Sequence, residues 1–130
     1  MKYILKIIGF FSVSFYIISK IVYASDWVQL SETDSAIHYI QKKPEKTKSP
    51  IKEVWEMQDL KKITPHGEQS YRILAEYDCN QRQWRIKNYT SHARWMATGE
   101  ILDISDTPDE WQPVAPGTPS QRIYDIVCNK

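Results

Sequence analysis

Two cysteines, Cys79 and Cys128, are all the chain has, and they do not form a C-x-x-C pair. That spacing excludes the usual dithiol redox centre. The three histidines, His38, His66 and His92, lie in unlike segments without H-x-x-x-H or H-E-x-x-H spacing. No zinc site is expected from them, because such sites announce themselves by ligand spacing. No G-x-S-x-G elbow and no phosphate loop is present, so neither an α/β-hydrolase nucleophile nor a nucleotide cradle is encoded. Asp103, Asp106, Asp109 and Glu110 are acidic neighbours whose spacing does not follow a calcium-binding EF loop. Internal repeats, low-complexity tracts and heptads are also missing. No catalytic constellation and no cofactor is predicted.

What is present begins with an export signal. Residues 1–24 carry Lys2 and Lys6, an apolar run from Ile7 to Ile18, and Val22 and Ala24 at the −3 and −1 positions of a signal-peptidase site. The run is shorter than the roughly 20 residues of a spanning helix, and Lys20 interrupts it. Cleavage between Ala24 and Ser25 is predicted, leaving residues 25–130 as one domain in the periplasm or at the outer surface. No cysteine follows the cleavage point, so no lipid anchor through an N-terminal cysteine is expected. Without the three lysines of residues 1–24, 14 basic residues face 16 acidic ones, a formal net charge of −2. This balance predicts neither nucleic acid nor stable membrane insertion. In an oxidising compartment Cys79 and Cys128 are expected to pair within the chain. The loop closed is about 49 residues, worth about 4 kcal/mol on loop-entropy grounds.

The organising stretch runs from Ser70 to Thr90. Tyr71, Ile73, Ala75, Tyr77 and Cys79 alternate with a mostly polar set, and Trp84 and Ile86 resume the apolar face after a short connection. Period two of this length predicts a β-hairpin, with Asn80 expected to take the left-handed turn position. Short strands are predicted near Ser25–Leu30 and at Ala36–Gln41, and a third from Ile51 to Lys62 is preferred over a helix for its β-branched and aromatic content. Between the second and third, Lys42, Lys43, Lys46, Lys48 and Lys52 lie in a loop with Pro44 and Pro50. These lysines are the candidate ligand-binding residues, for an acidic polysaccharide or an acidic protein. Ser91–Thr118 reads as a long connection holding at most one short strand near Glu100–Ile104, packed over a sheet face or edge. Thr118 to Cys128 reads as a helix, capped by Thr118 with Pro119 at its first position and Gln121 completing a capping box. Its apolar stripe is Ile123, Ile126 and Val127. The fold class is therefore α+β: an antiparallel sheet of about five to six strands, a C-terminal helix packed on it, and one disulfide.

The ordered set Asp78-Cys79, Thr98-Gly99-Glu100, Trp111, Pro116-Gly117 and Cys128, with Trp27, His38-Tyr39 and Trp55 before it, resembles the surface-adhesin protein E family of Gram-negative bacteria. The resemblance spans residues 25–130. It implies a sheet with a C-terminal helix and a non-catalytic envelope protein. It also implies host partners of the kind that the family's adhesin binds: vitronectin, laminin and plasminogen. No binding residue is carried over from the family. The other functional reading is a periplasmic structural or envelope-stress protein without an external ligand.

Overall fold

The structure is a computed structural model that describes residues 26–42, 44 and 47–129. The predicted signal peptide, its cleavage site, Lys43 and Lys46 lie outside the described residues. Strands β1 (Trp27–Glu32), β2 (Ala36–Gln41), β3 (Ile51–Leu60), β4 (Ser70–Asp78), β5 (Gln83–Arg94) and β6 (Thr98–Ser105) form one sheet in that order, each antiparallel to the next. A two-residue strand, β7 (Gln112–Pro113), pairs with the start of β5. Helix α1 (Pro119–Cys128) completes the described elements.

Strands consecutive in sequence are neighbours in this meander, and side chains close several of its described turns. Thr33 Oγ1 accepts the Ala36 N–H at 3.2 Å across the β1–β2 turn. In the β4–β5 turn Asp78 Oδ1 accepts the N–H groups of Asn80 and Gln81 at 3.0 and 3.1 Å. The left-handed residue there is Arg82, with φ 51°, and not Asn80 as expected. Because Asp78 caps the turn from its first residue, the chain reverses at its last position, next to β5.

The alternation of the hairpin holds from Tyr71 to Ile86 and then breaks. Leu74 lies opposite Asn88 while Ala75 lies opposite Ile86, so Lys87 is the extra residue of a β-bulge. The bulge brings Tyr89 onto the face already occupied by Trp84 and Ile86. That face, with Ile40, Val54, Ile73, Ala75 and Tyr77, packs against Ile123 of the helix and is the core. Tyr77 stacks on Trp84 with ring centroids 6.2 Å apart.

The Ser91–Thr118 segment holds the strand expected near Glu100–Ile104, though longer and more exposed than its sequence suggests. β5 runs on to Arg94, and the chain turns back at once through Met96 and Ala97, both at positive φ, into the eight-residue β6. The apolar residues that argued for packing are in part exposed on this edge strand: Ile101 is 51% and Ile104 60% accessible. Beyond β6 the chain still follows the edge of β5, where the N–H groups of Asp109 and Val114 donate to the carbonyls of Ile86 and Arg82. The tight β5–β6 turn is held from below. Ser70 Oγ donates to the Arg94 carbonyl at 2.5 Å and accepts the Ala97 N–H at 3.0 Å, and Asp59 Oδ1 accepts the Met96 N–H at 2.7 Å. Ser70 is fully buried, so Ser70→Ala strands a carbonyl and an N–H and is expected to cost roughly 2 kcal/mol in chemical denaturation.

The helix starts where predicted. Thr118 Oγ1 accepts the Gln121 N–H at 3.3 Å, while Gln121 Oε1 reaches back to Gly117 N at 2.8 Å instead of to Thr118. Its core-facing stripe is the buried Ile123 with the partly buried Tyr124, Val127 and Cys128, and Ile126 is 50% exposed. At 3.6 residues per turn Ile126 points about 130° away from the centre of that stripe. The disulfide fixes Cys128 on the sheet, and that sets the rotation.

Candidate functional site

The disulfide marks the first of two clefts. Cys79 follows the last residue of β4 and Cys128 ends α1, and the bond joins them with their α-carbons 5.5 Å apart. Tyr124 Oη donates to the Cys79 carbonyl at 3.0 Å, and the Cys79 N–H donates to the Pro50 carbonyl at 2.9 Å. Hairpin turn, helix end and the segment before β3 thus meet at one point. Around it lies a cleft of about 790 Å³ whose lining includes Lys48, Lys52, Asn80 and Ile126. The Lys52 ammonium donates to the Thr47 carbonyl, which ties its side chain to its own loop. Glu53, also on the wall, is paired with Lys87.

The second cleft, about 630 Å³, is lined by Asp26, Trp27, Gln41, Lys42, Trp55 and Arg72. Strand alternation determines its side of the sheet. Val54 and Ile73 face the helix, so Trp55 and Arg72, one residue on or back, face away from it. Register then assembles the site. Trp27 lies opposite Gln41, and Gln41 Oε1 accepts the Trp55 backbone N–H at 2.5 Å where β2 runs out. Arg72 lies opposite Met57, diagonal to Trp55, and its guanidinium carbon sits 3.9 Å from the Trp55 ring centroid. The Lys42 N–H donates to the Asp26 carbonyl at 2.7 Å, closing the rim.

The candidate lysines therefore do not share one surface. Lys48 and Lys52 line the disulfide cleft, and Lys42 belongs to the aromatic cleft across the sheet. Trp27, Trp55 and Arg72 were not candidates in the sequence. A signal existed in the unusual tryptophan content of the strands, but their convergence depends on register.

The buried titratable groups Glu56, Asp59, Glu76 and His92 line neither cleft. Glu56, on the core face, is pushed up to about 7 by burial, opposed in part by the hydrogen bond that Tyr77 Oη donates to it at 2.9 Å. Burial lowers His38 and His92, the latter also through the charge of Arg72. Among the described residues no cluster of His, Cys, Asp or Glu is arranged to hold a metal ion. Among them, too, no helix is long and apolar enough to cross a membrane.

A sequence profile of the surface-adhesin protein E family matches residues 27–129. Among solved structures, crystal form II of Haemophilus influenzae protein E is similar, with a TM-score of 0.62 at 14% identity, covering 80% of this chain and 87% of that one. At that identity the likeness speaks for the fold. No curated protein matches the chain in sequence.

Proposed function

The chain belongs to the surface-adhesin protein E family, and from that membership we propose that it is an exported, non-catalytic binding module for host extracellular-matrix or serum proteins. Export follows cleavage after Ala24, with residues 25–130 as the adhesin domain. The observation that carries the reading is the stapled end. There Lys48 and Lys52 line the same cleft as a half-exposed Ile126 and the two bonded cysteines. A basic rim around an exposed apolar residue suits an acidic patch on a protein partner, with charge guiding the encounter.

Solid-phase binding to vitronectin, laminin and plasminogen tests this. The wild-type domain is expected to bind at least one, and Lys48→Ala with Lys52→Ala to weaken that binding about tenfold, as loss of two rim charges implies. Equal binding by both proteins overturns the role of the lysines. Absence of binding to all three, with protease protection on intact cells, favours the periplasmic structural reading.

A further inference from the structure

We propose that the aromatic cleft on the helix-free face binds a carboxylated sugar, a pyranose of the uronate or sialate kind. Two indoles, Trp27 and Trp55, and a stacked guanidinium, Arg72, form its walls. Both tryptophans are half-buried and sit on the face opposite α1. Indole rings placed this way offer flat apolar surface with a polar edge, which suits the C–H face of a sugar ring. The volume of about 630 Å³ falls within the range of small-ligand sites and holds one or two sugar units.

The charge of the ligand follows from a comparison within the molecule. Arg85 sits 4.4 Å over the Trp111 ring and also pairs with Glu76 at 3.0 Å. Arg72 repeats the stacking on Trp55, yet among the described residues no carboxylate pairs with it or with Lys42. With its guanidinium carbon over the indole and no carboxylate partner among the described residues, Arg72 keeps N–H donors for a carboxylate, which a guanidinium receives through two parallel hydrogen bonds. Lys42, which also lines the cleft, adds a second cation for the same anion. Asp26 supplies an acceptor for a hydroxyl.

A sugar fits this surface better than a peptide. The face of a sheet presents side chains only, because its backbone N–H and C=O groups point along the sheet to neighbouring strands. A peptide laid across it finds no partners for its amides, whereas hydroxyls and C–H faces are served by side chains. Trp55 and Arg72 stand on the inner strands β3 and β4, so little ordering accompanies binding.

Isothermal titration and indole N–H NMR shifts, with the folded domain, decide the matter. The probes are 3′-sialyllactose, a hyaluronan tetrasaccharide, neutral lactose and an acidic peptide. One or both carboxylated sugars are expected to bind at least tenfold more tightly than lactose, and which of them does so separates the sialate from the uronate source. Arg72→Gln is expected to remove that margin, and Trp27→Ala, at the edge strand, to weaken every sugar; thermal melts verify that both variants fold. The Lys48/Lys52 double variant keeps sugar binding, so failure of the protein-binding reading leaves this one standing. Lactose binding as tight as sialyllactose, no sugar binding up to about 10 mM, or binding of the acidic peptide alone overturns the proposal.

Discussion

Cys128→Ser is expected to cost the domain about 4 kcal/mol of unfolding free energy and to loosen the last turn of α1. The two cysteines are 49 residues apart in sequence, so the bond removes a long-loop closure from the unfolded chain. It also secures local contacts that have little else to hold them. Val127 packs against the core near the helix end, and Tyr124 donates to the carbonyl of Cys79 itself. The helix is ten residues long, too short to persist without its packing. Urea denaturation of the oxidised wild type and the variant gives the difference, and hydrogen exchange at Tyr124–Cys128 reports the loosening. A loss below about 1 kcal/mol, or unchanged exchange in the last turn, contradicts the expectation.

What the sequence discloses about this fold follows the reach of each signal. The Tyr71–Ile86 alternation is local, and strand β4 and the start of β5 stand where it puts them. The disulfide is legible from scarcity, since two cysteines have one intramolecular partner each. β3 is a strand despite a sequence that also fits a helical face, because Val54 has Ile40 and Ile73 beside it in the core. The bulge at Lys87 has no such signal, being one residue inserted in a polar run. β6 stands where a short strand near Glu100–Ile104 is expected, but its length and exposure are not legible, because Ile101 and Ile104 on an edge look like core residues in a linear reading. The stripe Ile123, Ile126, Val127 satisfied helical spacing, yet spacing alone does not choose between two faces that share Ile123 and Val127. The aromatic cleft is the least legible feature. Trp55 and Arg72 are strangers in sequence and neighbours only because β3 and β4 pair with Met57 opposite Arg72.

The second large effect is one of pH. Glu56 lies on the core face of β3, opposite Ile73 and beside Ile40, with its carboxylate taking the hydrogen bond from Tyr77. Burial raises it from 4.5 to about 7. Between those values the folded protein holds a proton that the unfolded chain has released, so stability falls as pH rises through this window. The stabilising contribution is whole below about pH 4.5 and is lost above about pH 7, a change of about 3 kcal/mol. Asp59, also raised by burial, acts in the same direction. His38 and His92, lowered by burial, act in the opposite direction, because the unfolded chain takes up their protons first as pH falls. A comparison with Glu56→Gln separates these contributions. Glutamine keeps an acceptor for the Tyr77 hydroxyl and has no proton to lose. The stability of the variant relative to wild type is therefore expected to rise by about 3 kcal/mol between pH 4.5 and pH 8, while the histidine contributions cancel in the difference. Urea denaturation of both proteins at half-unit pH intervals measures it, and a difference that stays constant across the range rules out Glu56 as a buried, proton-holding carboxyl.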